Sequence, residues 1–577
     1  MKSFSPKAKM LMGLAVIAAI TGTLFTNCAK NSFTAVGEEL AGTGADPLLG
    51  YAWHINNTGQ KVFAADAGTA GVDLNLLQTW TSGLAGKGIK IVISDDGVQD
   101  AHPDLKDNFL YGVSKNYHNA APYTSSNAPP SSSDDNHGTS VAGLAAAVGD
   151  NGVGSKGVAY KAKLLAYNFL STGVSQTYSR MAEQLSGGYD VYNMSWGNSQ
   201  NYLPDPVAAW ETALLNGVLN GRSGKGSIYV KSAGNDFLVE CKGSTDTYCI
   251  GNSNLDPDNS TPYTILVTAL NSTGDAASYS SVGSNVWISS FGGESGDDSP
   301  AMVTTDRTGC SAGYAQTSIS GKVEFERGNN GNSNCNYTTT FNGTSSAAPV
   351  LTGAIALLLE ANPNLNWRDV KYILAKTAVQ VRPNSGAISN HPLRNYPGNS
   401  AKNVILPSGA VWENAWVTNS AGFKFHNWYG FGRVNVDAAV SLAKNYTSTF
   451  TTSLSGTAWI ENTTRVAIPD YSATGVSNTV TVTDNLRIEG VRIRLKVDHD
   501  RVGDLGVELT SPSGTKSMIL NMRNSLLGQV DFDNEVFLSN AFFQERSNGT
   551  WTIKVIDGGS TFNGDLVSWG VQIIGTP

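Results

Sequence analysis

Charge is scarce in this chain: Asp, Glu, Lys and Arg make up 15% of its 577 residues, and the balance is acidic, at a formal −8. Without a basic surplus there is no electrostatic footprint for nucleic acid, so that class of partner is excluded. Cysteine is scarcer still. The five are Cys28, Cys241, Cys249, Cys310 and Cys335, and no two have the CxxC spacing of a zinc site. No internal repeat is found, which excludes a solenoid or propeller. What is abundant is glycine, 62 residues, and 40% of the chain is hydrophobic. That describes a globular, turn-rich protein with length for two or three domains.

The N-terminus places Lys2, Lys7 and Lys9 before an apolar run from Met10 to about Phe25. The run is too short for a comfortable membrane span and has the layout of an export signal. It ends at Cys28 and resembles a bacterial lipoprotein signal, which implies residues 1–27 as signal, a lipid anchor on Cys28 and 28–45 as a tether. Ala29 favours delivery to the outer membrane. The plainer reading is a secretory signal with Cys28 incidental. Export permits disulfides. The four remaining cysteines allow three pairings, and the local one, Cys241–Cys249 with Cys310–Cys335, is expected.

From about residue 86 strand-like and helix-like pieces alternate. GKGIKIVISDDG, GVAYKAKLLAYNFL, YDVYNMSWG and GSIYVKSAGN read as strands. GTSVAGLAAAVG, AAPVLTGAIALLLEAN and NWRDVKYILAKTA read as helices, the last capped by Asn366. Such alternation predicts an α/β domain with a mainly parallel sheet, assigned to 46–445. Residues 446–456 are Ser/Thr-rich and read as a linker. Short alternating strands with turns between them then fill 457–577, which predicts an all-β sandwich.

Three places carry chemistry. Asp95 ends the GIKIVIS strand, His137 opens a small-residue helix, and Ser345 opens another. A serine hydroxyl is a weak nucleophile until a base takes its proton. Histidine is the usual base near neutral pH, and a buried carboxylate fixes its tautomer and steadies its charged form. A fourth element is SAGND: Asn235 can donate to the anionic oxygen of a tetrahedral intermediate, with the Ser345 N–H as second donor. Any one of these is commonly a turn or a cap. Their joint occurrence in the order Asp, His, Ser is the order of subtilisin.

SDDGVQDAHPDL, DDNHGTSVAG, NMSWG, VKSAGND, MVTTDRTGC and NGTSSAAP resemble the subtilisin-like serine peptidases, in particular the kexin/furin proprotein-convertase branch. DPLLGYAWHINNTGQ and EANPNLNWRDV match that branch, and HDRVGDLGVELTSPSGT and NGTWTIKVID resemble the jelly-roll-like P domain that follows its protease. The resemblance implies a serine endopeptidase with Asp95, His137 and Ser345 as triad and Asn235 in the oxyanion hole. It implies that Ser195, Trp196 and Gly197 border the substrate polypeptide. It also implies Ca2+, held by Asp46, Asp104 and Asn151 with carbonyls of Val148, Val153 and Ser155, an oxygen set suited to a hard cation.

The branch cuts after paired basic residues. Asp96 and Asp134 match acids that meet the second basic side chain, and Asp256 one at the floor of the primary pocket. Gln200 and Ser281 stand where the branch has acids, which implies loss of a second calcium ion beneath that pocket. The expectation is an exported, calcium-dependent endopeptidase, acting as a monomer and preferring basic residues before the cut. The alternatives are broad degradative specificity, or an inactive surface-binding lipoprotein. Residues 28–45 are too few to form the folded prodomain usual before such proteases, so assistance by another chain is one expectation and folding without any is the other.

Overall fold

The apolar, β-branched stretch before Asp95 forms the central strand of a parallel sheet. The computed structural model describes residues 45–577 except 207, 243–247, 321 and 394–403, so the signal and Cys28 lie outside the described residues. Numbering in chain order only the sheet strands and the helices that position the site, the first part contains β1 (Lys90–Ser94), α1 (His137–Ala146), β2 (Lys163–Tyr167), β3 (Val191–Met194), β4 (Ile228–Ser232), β5 (Thr264–Leu270), β6 (Ile288–Phe291), α2 (Thr344–Ala361) and α3 (Trp367–Thr377). Sheet order is β6-β5-β4-β3-β1-β2, extended past β2 by the short pair 114–115 and 124–125. The long pairings are parallel. Their strands are buried almost throughout, as a sheet covered on both faces requires. Helix α2 is apolar on every side and lies in the core. Asn366 caps α3 as expected, in a reciprocal capping box with Asp369.

Register decides where the site forms. Ser94 pairs with Met194 and Met194 with Lys231. Asp95, Ser195 and the loop 233–236 therefore leave the sheet at one edge, beyond the carboxyl ends of parallel strands, where α/β folds place their ligands.

The second part is built from β7 (Ser472–Val482), β8 (Arg487–His499), β9 (Leu505–Thr510), β10 (Lys516–Leu520), β11 (Phe532–Ser539), β12 (Gly549–Asp557) and β13 (Gly564–Thr576). One antiparallel sheet centres on β13-β8-β11 and the other runs β7-β12-β10 through β9. Buried and half-exposed residues alternate along β8, the pattern of a sandwich strand. The fold is thus a subtilisin-like α/β domain followed by a β-rich P domain.

The two parts interlock. Phe543 stacks edge-on against Trp287, and Leu255 of the first part is buried in the core of the second. Arg368 and Glu489 form a bidentate ion pair across the junction, Arg368 1% and Glu489 4% exposed. The Ser/Thr-rich stretch is pinned: Asn366 Nδ2 donates to the Phe450 carbonyl, Trp367 Nε1 to that of Thr452, and Arg368 Nη1 to that of Thr451.

Candidate active site

Asp95 is 1% exposed at the end of β1, and His137 Nδ1 meets its two oxygens at 2.8 and 3.0 Å. That contact fixes the ring and leaves Nε2 facing outward from the pair. Burial opposes a charge on His137, but the charge and hydrogen bond of Asp95, with the charge of Asp96, outweigh it and raise the pKa to about 9. A protonated imidazole cannot accept a proton. Activity that relies on this base is expected to rise with pH up to about 9; a kcat/KM profile already flat from pH 7 upward would refute it.

Ser345 is half-buried at the start of α2, whereas the Ser346 hydroxyl is fully buried. The Ser345 hydroxyl donates to the Ser195 carbonyl at 3.2 Å, and Ser195 Oγ donates back to the Ser345 carbonyl at 3.0 Å. Asn235 is exposed, and its Oδ1 accepts from Thr344 N at 2.8 Å and Thr344 Oγ1 at 2.9 Å. Both bonds hold the amide with Nδ2 turned away from them. Ser345 N, in the first turn of the helix, has no acceptor within it. A carbon added to Gly343 would lie 3.1 Å from Asn235 Nδ2 and 3.4 Å from Ser345 N, so the two donors border one space. Gly343 has φ +100°, which suits only glycine and keeps that space open. Two convergent N–H donors beside a hydroxyl can stabilise a developing oxyanion.

Ser195, Trp196 and Gly197 follow β3 directly. Trp196 Nε1 donates to the Ser94 carbonyl at 3.1 Å and the ring packs on Phe169 and Trp210. Asp134 is exposed three residues before His137, while its neighbour Asp135 is buried and accepts from Ser131, Ser171 and Thr172. Asp96 also serves the helix that carries His137. It is 8% exposed, and its oxygens accept from His137 N at 2.9 Å and Gly138 N at 2.7 Å, capping α1. Burial and the adjacent Asp95 raise its pKa.

Asp256 requires a correction. As a floor carboxylate awaiting a basic substrate side chain it would have free acceptors. It is 1% exposed and already paired with Lys231 Nζ at 3.0 Å, from the fully buried end of β4. Sequence reasoning missed Lys231, although a lysine inside the apolar strand IYVKS demands a buried counter-ion.

Of the expected calcium ligands, the side chains of Asp46, Asp104 and Asn151 lie in one hydrogen-bonded cluster. Asp46 accepts from the amides of Asp150, Asn151 and Gly152 at 2.8–3.2 Å, and Asp104 from Asn151 Nδ2 and Ser155 N at 3.0 Å each. Val148 N donates to the Asp104 carbonyl, and Val153 N to Asn151 Oδ1. Both carboxylates are buried, at 4% and 0% exposure, and neither has a lysine or arginine partner among the described residues. Burial pushes Asp104 up to about 7. Two buried carboxylates wrapped by one loop fit an oxygen-seeking divalent cation, and the nearby Lys156, which acts on Asp46 by its charge, is itself paired with Asp150. No group of three or more His, Cys, Asp or Glu that could hold a metal ion exists among the described residues, so any cation here would rest on two carboxylates with amide and carbonyl oxygens. Cys241–Cys249 and Cys310–Cys335 are disulfide-bonded, the expected pairing.

Residues 86–432 match the family model described as Subtilase family, and 488–573 that of the Proprotein convertase P-domain. The chain belongs to the subtilase family and is a serine endopeptidase with a P domain. It is 36% identical over 547 residues to the Aeromonas extracellular serine protease of Aeromonas sobria, covering 89% of this chain and 84% of the relative. It is 27% identical to furin of Rattus norvegicus, over 92% of this chain and 58% of furin. Among solved structures, that of the Aeromonas sobria serine protease with the chaperone ORF2 aligns with a TM-score of 0.82 at 33% identity, over 92% of this chain and 96% of that one.

Proposed function

We propose that the protein cleaves polypeptides through Ser345 as nucleophile, His137 as general base and Asp95 as its orienting acid, with Asn235 Nδ2 and Ser345 N receiving the oxyanion. The observation that carries this is that Asn235 Nδ2 and Ser345 N, the amide of the nucleophile itself, both border the space at Gly343. In the acylation step the Ser345 Oγ proton passes to His137 Nε2 as Oγ bonds to the scissile carbonyl carbon. The same proton then goes to the leaving amine as the C–N bond breaks. Water, deprotonated by His137, then bonds to the acyl carbon, and the proton passes from His137 to Ser345 Oγ as the ester C–O bond breaks and the acid product leaves. A fluorophosphonate probe tests the assignment: it labels the protein, and the label is lost in Ser345→Ala.

Asp134, exposed beside His137, can meet a basic side chain near the cut. The occupied state of Asp256 favours the broader reading of specificity over a strict requirement for paired basic residues.

Asp46, Asp104 and Asn151, with the carbonyls of Val148, Val153 and Ser155, would hold Ca2+. When bound it supplies charge compensation for two buried carboxylates and ties the 148–155 loop to residue 46. Binding only to the folded state stabilises it by roughly 3 kcal/mol at a hundredfold excess over the dissociation constant. Chelation is expected to lower the melting temperature of the wild type and leave that of Asp104→Asn unchanged. An equal response of both would sink the site.

Export is in keeping with the extracellular relative. The lipid anchor on Cys28 is part of the proposal, as is assistance in folding by a separate chaperone chain, which the solved complex of the relative suggests.

A further inference from the structure

Lys231, one residue before the end of β4, reaches beneath the segment 195–197 that follows β3. Its ammonium is fully buried, bonded to Asp256 Oδ2 at 3.0 Å and Asn259 Oδ1 at 2.7 Å, and lies 5.5 Å from the centre of the Trp196 ring. Gly197, directly above, is exposed. A carbon added to Gly197 would come within 2.8 Å of Asp256 Oδ2 and 3.0 Å of Lys231 Nζ. Two residues earlier, Ser195 exchanges hydrogen bonds with Ser345. The ion pair therefore underlies the surface beside the nucleophile, with no side chain between.

The acceptors of Asp256 are all taken. Oδ2 receives Lys231 Nζ and Asn198 N at 3.1 Å; Oδ1 receives Asn198 Nδ2 at 3.0 Å and Asp258 N at 3.2 Å. A carboxylate offers about four lone-pair sites, and four donors fill them. A guanidinium or ammonium entering from the substrate side finds no free oxygen on Asp256 and meets the Lys231 ammonium already bound there. Breaking the internal pair to admit it would take from the fully buried Lys231 the carboxylate it is bonded to, which is strongly unfavourable.

We propose that Lys231 is a specificity-determining residue, a built-in cation that occupies the acidic floor of the primary pocket. The side chain before the cut is accordingly uncharged, and neither arginine nor lysine is preferred there. The inference rests on the proposed role of Ser345. It concerns the residue directly before the cut and leaves Asp134 free to act on the position before that.

The test compares substrates that differ only at that residue, Arg, Lys, Leu, Met and Gln, and measures binding of p-aminobenzamidine, a fluorescent arginine mimic. Wild-type enzyme is expected to cleave Arg and Lys no faster than the neutral residues and to bind the mimic without saturation at millimolar concentration. Lys231→Met frees Asp256; the Arg:Leu ratio of kcat/KM rises about tenfold or more, and the mimic binds saturably. The double variant Lys231→Met/Asp256→Asn removes both members of the pair and keeps the wild-type ratio. A tenfold wild-type preference for Arg or Lys, saturable binding by wild type, or an unchanged ratio in a folded Lys231→Met would each overturn the inference. If Lys231→Met does not fold, the wild-type ratio and binding decide. Because mimic binding needs no turnover, it still reports on Lys231 if Ser345 fails to label, an outcome that would sink the role of Ser345 alone.

Discussion

Replacing Ser345 by alanine is expected to lower kcat/KM by roughly a millionfold, and replacing His137 by alanine to cost about as much. The two act as one unit: without the base the hydroxyl stays a weak nucleophile, and without the hydroxyl the base has no proton to take. The double variant should therefore be no worse than either single one. Ser346 cannot substitute, because its hydroxyl is fully buried. Asn235→Ala is a different kind of loss. It removes one of two oxyanion donors, so kcat falls by roughly 10²–10³ while KM changes little. Peptide hydrolysis and fluorophosphonate labelling separate the cases. Ser345→Ala abolishes labelling, whereas Asn235→Ala only slows it. Retention of more than a few per cent of activity in Ser345→Ala would reject the assignment.

These residues were readable in the chain because each sits at a point where the pattern changes. Asp95 ends a strand, and His137 and Ser345 open helices within small-residue motifs. The parallel sheet was likewise legible from alternating apolar runs, and the sandwich from short strands with turns. Contacts that depend on register were not. Lys231 and Asp256 lie 25 residues apart in sequence and meet only because β4 ends beside the loop that carries Asp256. Asp96 is assigned by its match to a family acid; that it also caps α1 depends on where that helix arrives. The pinned 446–456 stretch was hidden for a related reason. Serine and threonine make no core, and their composition alone cannot tell a tether from a strap held through its backbone carbonyls.

The other large effect is expected far from the nucleophile, at the junction with the sandwich. Glu489→Met leaves the Arg368 guanidinium without its carboxylate while the neighbouring apolar contacts keep water out. Removing one partner of a buried pair costs roughly 3–5 kcal/mol, most of it the burden of an uncompensated charge. The double change Arg368→Met/Glu489→Met removes both charges and is expected to recover most of that loss, since two methionines pack where the ions met. Thermal unfolding and residual activity of the two single variants and the double one give the coupling directly. A chain ending at Asn445 should fare worse than any of them. It exposes Leu255, takes Phe543 from Trp287 and strands Arg368, and so is expected to be insoluble or inactive. If Glu489→Met melted with the wild type, the pair would be ornamental, and the sandwich would have to be held by its apolar contacts alone. The asymmetry between single and double variants is what separates a junction built on a desolvated ion pair from one that merely contains it.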